Sequence, residues 1–149
     1  MSLQVRKNKR SINSKTLDAL VGYHLKRATG VILSRFPFSS GKHLLKPSEF
    51  AVLSLLAENE DLRAADICEY LNFKQPNLVK LLNRFLKEEW IVRYPDPTDK
   101  RAINLSLSFK GKNLVKALKL GALNSEKLVL KKLTYEEKQL LTNLLKKLY

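Results

Sequence analysis

The chain has 149 residues, 44% of them hydrophobic, which suffices for one packed domain with or without oligomerisation arms and excludes global disorder. Its 28 Lys+Arg against 14 Asp+Glu leave a formal net charge of +14, a surplus that must lie on the surface and favours a polyanionic partner, nucleic acid before an anionic membrane. The single cysteine, Cys68, excludes an intrachain disulfide, and no apolar run is long enough to span a bilayer, so the expectation is a cytoplasmic protein with no membrane partner.

Residues 1–13 are basic, no apolar segment of a secretory signal follows them, and they are expected to form a flexible arm. Over residues 14–36, Leu17, Leu20, Val21, His24, Leu25 and Ala28 recur at helical spacing, which predicts one long helix with Ser14 as its N-cap. Pro37 stops it. Pro47 opens a second helix, with Phe50, Leu53, Leu56 and Ala57 as its buried stripe. A short third helix over 64–71 turns Ile67, Cys68 and Leu71 inward, where a thiol is inert. A tight turn at 72–74 leads to a fourth helix over 75–88. Its stripe is Leu78, Leu81, Leu82 and Phe85; Gln75, Asn77, Lys80, Arg84 and Lys87 face the other way. Helix, short turn and helix make a helix-turn-helix.

Residues 90–94 read as a strand, and turn chemistry follows at Pro95, Asp96, Pro97 and Asp99. Beyond it the chain alternates, with Ile103, Leu105 and Leu107 on one face and Asn104, Ser106 and Ser108 on the other. That is a hairpin with a basic tip, Asp99-Lys100-Arg101. Ser108 is placed to cap a long helix through Leu114, Ala117 and Leu118, with a possible bend at Gly121. Thr134 and Glu137 form a capping box before the last helix, which carries Leu140, Leu141, Leu144 and Leu145. The fold class is therefore mainly α with a small β-wing: a winged helix-turn-helix lobe over 47–108. The helical regions 14–46 and 109–149 have apolar stripes with little to pack on, which predicts a two-fold homodimer.

The segment 47–111 resembles the MarR family of bacterial transcription regulators. The family's wing pattern Asp-Pro-x-Asp-(Arg/Lys)-Arg stands here as Asp96-Pro97-Thr98-Asp99-Lys100-Arg101. Its strand-to-helix pattern Leu-Thr-x-x-Gly stands as Leu107-Ser108-Phe109-Lys110-Gly111. Trp90, Ile91 and Arg93 fill the positions after the recognition helix. Three positions depart: Ser108 replaces threonine, a conservative change since both can cap, and Lys74 replaces the usual helix cap. Glu89 replaces a glycine, so either Glu89 is left-handed or the helix ends differently.

The resemblance implies double-stranded DNA as partner. Gln75, Asn77 and Lys80 lie on the N-terminal half of the recognition helix, where side chains meet base edges in the major groove, and Arg84 stands where it would meet phosphate. It implies Arg101 in the minor groove, with Asp99 holding the tip and Lys100 on phosphate. Lys46 and Ser48 are weaker phosphate candidates. It also implies a small-molecule effector, an aromatic anion, in a pocket whose candidates are Tyr23, His24, Arg27, Phe36 and Phe50; the competing reading, and the stronger one for aromatics at helical spacing, is core. No metal, cofactor or catalytic constellation is read, so an enzyme is not expected. The function expected is a dimeric, sequence-specific transcription regulator, a repressor relieved by the small effector, with a nonspecific architectural DNA binder and a winged-helix protein-interaction module as alternatives.

Overall fold

The computed structural model describes residues 12–35, 39–40, 43–99 and 101–149. The expected basic arm up to residue 11, Phe36 and Lys100 lie outside them. Two compact units are present, Met1–Ser34 and Arg35–Tyr149.

In the first unit the expected single helix is two. α1 spans Lys15–Asp18 and α2 spans Val21–Arg35. The cause is local. The Ser14 hydroxyl donates to the Asp18 carboxylate at 2.6 Å rather than capping a backbone N–H, and the His24 ring bonds the Asp18 carbonyl at 2.9 Å, which competes with continuation of the helical ladder.

The second unit opens with a two-residue ladder, β1 (Ser39–Ser40) against β2 (His43–Leu44). α3 (Pro47–Glu58) starts with proline in its first turn, and Glu49 accepts from the Lys46 backbone N–H at 2.9 Å. β3 (Leu62–Arg63), which the sequence reading lacks, precedes α4 (Ala64–Tyr70). Asp66 plays the part of Glu49 there, accepting from the Arg63 N–H at 2.7 Å. α5 (Gln75–Lys87) is the recognition helix and needs no side-chain cap at Lys74.

α5 ends in a Schellman motif. Glu89 is left-handed at φ 59, Trp90 N–H donates to Phe85 C=O at 2.9 Å, and Glu89 N–H donates to Leu86 C=O at 3.0 Å. The Phe85 and Trp90 rings, 5.5 Å apart, supply its apolar contact. Asn72, at φ 50, ends α4 in the same way, with Phe73 N–H on Cys68 C=O at 2.9 Å.

β4 (Ile91–Pro95) and β5 (Ile103–Leu107) form the wing, in register Ile91↔Leu107 through Pro95↔Ile103. β3 pairs with the other edge of β5, so β5 is the central strand of three. This overturns the expected alternation. Asn104 is fully buried and Ile103 is 47% exposed. Asn104 sits between two strands and donates to Asp96 at 3.3 Å, whereas Ile103 stands at the turn end, past the core.

α6 (Phe109–Val129) begins where the wing closes and runs through Gly121 unbroken. Ser108 Oγ accepts from Gly111 N–H at 3.0 Å and donates to Glu89 C=O at 2.6 Å. Gly111 is obligatory, since a Cβ there would stand 2.0 Å from the Trp90 carbonyl oxygen. α7 (Tyr135–Leu145) carries the expected capping box, Thr134 with Glu137.

One core holds this unit together: Val52, Leu53, Ile67, Leu78, Phe85 and Trp90 with the first half of α6, Leu114 and Leu118. Each such side chain contributes roughly 1.5–3 kcal/mol on burial. Cys68 is half-buried against that core. Among the described residues no helix is long and apolar enough to cross a membrane.

Candidate nucleic-acid interface

The buried stripe of α5 fixes which way its polar face looks. Leu78, Leu82 and Phe85 are inside, so Gln75, Asn77 and Lys80 are exposed. Lys46, Ser48, Asn77, Lys80 and Arg84 line one depression of about 370 Å³ between the N-terminus of α3 and α5. Five of the expected DNA residues thus converge. Gln75 does not join them; it lines a neighbouring hollow with Ala64 and Cys68 across Phe73.

Arg84 stands in this depression with its side chain 40% exposed. It is ion-paired with the buried carboxylate of Glu49, and its guanidinium lies 5.7 Å from the Trp90 ring centroid. It ties α5 to the N-terminus of α3.

At the wing, Asp96 is the hub. Its Oδ1 accepts from Thr98 N–H at 2.8 Å, from the Thr98 hydroxyl at 2.6 Å and from Asp99 N–H at 3.0 Å. Its Oδ2 accepts from Arg63 at 2.7 Å and from Asn104 at 3.3 Å. These bonds, with the Thr98 hydroxyl first and Arg63 next, hold the Asp96 carboxyl well below the usual carboxylate range. Asp99 accepts from Arg101 N–H at 3.0 Å, so it shapes the tip through the backbone. The Arg101 residue is exposed.

Arg63, Asp96 and Glu49 were not singled out from sequence as site residues. Asp96 had a signal, an aspartate two before threonine in a Pro-rich turn. Glu49 and Asp66 each stand three residues after a helix's N-cap, the acidic half of a capping box. The contacts of Arg63 and Arg84 span 33 and 35 residues and leave no local signature.

The described effector candidates belong to different units. On α2 the Tyr23 and His24 rings meet edge-on at 5.6 Å, and Arg27 lies 5.7 Å over the Tyr23 ring. Phe50 packs against the core of the second unit. A larger cleft of about 650 Å³ involves none of the four described candidates; Leu56, Asp61, Tyr94, Ser106, Lys112 and Lys116 are among its walls. Among the described residues no group of His, Cys, Asp or Glu could hold a metal ion.

Charge is distributed unevenly. Residues 45–108 hold 9 Lys+Arg against 10 Asp+Glu, so the surplus read from composition lies wholly in the flanking segments.

Comparisons with known proteins agree with this geometry. The model of the MarR family matches residues 45–102. A protein assigned to transcriptional regulation of the hcr operon in Thauera aromatica is 23% identical over 130 residues, 87% of this chain and 78% of that one. The solved structure of the transcriptional repressor CouR, bound to a 23-mer DNA duplex, is 27% identical with a TM-score of 0.83, over 93% of this chain and 98% of that one. Bordetella bronchiseptica BpsR, whose DNA binding is regulated by 6-hydroxynicotinic acid, shares the fold at 21% identity and a TM-score of 0.77, over 88% of this chain and 94% of that one. The helix-turn-helix and wing thus match the MarR family over residues 45–102, and the chain shares the winged helix-turn-helix fold of these DNA-binding transcription regulators.

Proposed function

We propose that this DNA-binding regulator works as a homodimer that represses transcription from a specific pseudo-palindromic operator. Lys80 and Asn77 read base edges in the major groove, with Gln75 beside them. Arg101 enters the minor groove, whose narrow A/T-rich stretches attract arginine. Lys46, Ser48 and Lys100 meet phosphate. Arg84 acts indirectly, by fixing α5 against Glu49. The observation that carries this reading is the convergence of Lys46, Ser48, Asn77 and Lys80 on one exposed depression at the start of the recognition helix.

Homodimerisation is supported by the apolar surface left on the C-terminal helices. Leu120, Leu123 and Leu128 on α6 and Leu140, Leu141 and Leu144 on α7 are 40–64% exposed. Relief by a small aromatic anion is supported by the regulation of BpsR by 6-hydroxynicotinic acid, and by the Tyr23–His24–Arg27 cluster of rings and a cation. Repression is supported by the likeness to CouR.

Selection of bound fragments from random DNA, followed by competition against unselected duplex, tests the proposal. A selected operator should outcompete random DNA by at least about a thousandfold. Lys80→Ala and Arg101→Ala should each weaken operator binding about tenfold or more. No effect from either would overturn the site assignment. The architectural alternative has one observation in its favour: the charge surplus lies outside the lobe, where it can add only sequence-independent affinity. It predicts loss of affinity with salt and no selected sequence.

A further inference from the structure

We infer that Arg63 is a positioning residue for the wing: it fixes the minor-groove tip relative to the recognition helix through Asp96. The inference rests on the reading that Arg101 contacts DNA. Arg63 belongs to the helix-turn-helix side of the lobe, at the end of β3 and the start of α4. Its side chain reaches 33 residues along the chain to the base of the wing turn.

From there the connection is continuous. Arg63 Nη2 donates to Asp96 Oδ2 at 2.7 Å, Asp99 N–H donates to Asp96 Oδ1 at 3.0 Å, and Arg101 N–H donates to Asp99 Oδ1 at 3.0 Å. Three hydrogen bonds therefore lead from the helix-turn-helix to the backbone of the residue that would enter the groove. Arg63 also stands 4.0 Å from Asp99 through Nη1, so one guanidinium faces both carboxylates of the turn.

The surroundings isolate the connection from solvent on one side. The Asp96 side chain is 10% exposed, and Asn104 beneath it is fully buried with its Oδ1 unpartnered among the described residues. Asp96 is the obligate middle member, because the same carboxylate shapes the turn and receives the guanidinium. Its lowered pKa keeps it charged across the neutral range.

The other job of Arg63 is separable. The α4 cap uses its backbone N–H, given to Asp66 at 2.7 Å, and any side chain retains that bond. Arg63→Ala therefore removes the connection and leaves the cap. Arg63→Lys keeps the charge and loses the fork.

The test is a double-mutant cycle on the operator duplex that the wild-type protein selects from random DNA. In the wild-type background Arg101→Ala should weaken binding about tenfold. In the Arg63→Ala background it should weaken binding no more than about twofold, because the tip is already unplaced, and Arg63→Lys should fall between. Lys80→Ala should cost the same in all three backgrounds, which a general loss of folding would not preserve. Equal costs of Arg101→Ala with and without Arg63 would overturn the connection alone. No cost of Arg101→Ala in any background would overturn the wing reading and the connection with it.

Discussion

The winged-helix lobe and the helices that flank it solve opposite problems. Between residues 45 and 108 most large apolar side chains are inside or against the core, with Tyr70, Val79, Val92 and Ile103 exposed, and charge is close to balanced. Among the described residues of the flanks only α6 adds to that core; no residue of α1, α2 or α7 is buried, and the cationic surplus collects in the flanking segments. Composition averaged over the chain merges the two. The charge that suggested a polyanion does not lie in the part shaped to read one. The groove-reading face needs a few cations in fixed places, not a large net charge.

The largest expected effect breaks the lobe and spares the flanks. Gly111→Ala forces a Cβ against the Trp90 carbonyl, and should cost about 3 kcal/mol or more in urea denaturation. A loss below about 1 kcal/mol would mean that the close approach can relax. The next effect does the opposite. Leu141→Asp with Leu144→Asp should abolish the proposed dimer in sedimentation velocity, since each leucine buried in it would contribute roughly 1.5–3 kcal/mol per copy, and should leave the circular dichroism of the helices in place. A variant that stays dimeric would put the interface elsewhere.

Smaller changes sharpen the contrast. Glu89→Gly should stabilise the lobe by about 1 kcal/mol, because a left-handed residue with a side chain carries that cost. Loss of stability instead would assign weight to the exposed Lys110–Glu89 contact at 3.5 Å. The smallest effect is on pH. The Tyr94 hydroxyl donates to Asp61, and that bond, aided by desolvation, raises the phenol above its usual value. A raised folded-state value adds stability that is complete below about pH 10 and is lost as pH climbs through the folded value. Absorbance titration should show a late-ionising tyrosine, absent in Tyr94→Phe.

What could be read from the sequence was what neighbours in the chain decide. Pro47, Ser108 and the Thr134–Glu137 pair announced helix starts, and Asp96-Pro97-Thr98-Asp99 announced the wing turn, because each signal acts within a few residues. The left-handed Glu89 was legible as one of two alternatives. Features set by distant partners were not. β3 exists because β5 offers it an edge, Asn104 is buried because β3 and β4 flank it, and Arg84 finds its ion-pair partner Glu49 across 35 residues. The break between α1 and α2 was hidden too: His24 fits a helical stripe as well as it fits the Asp18 carbonyl.

The closure at the wing's root has a consequence for how such a lobe can change. The Glu89 and Trp90 carbonyls take the Ser108 hydroxyl and the Ser108 N–H, so the loop of chain between them leaves and returns at one point. Material inside that ring can be exchanged as a cassette. Grafting residues 95–102, together with the residue at 63, from a relative should transfer that relative's groove preference while the helices beneath keep their places.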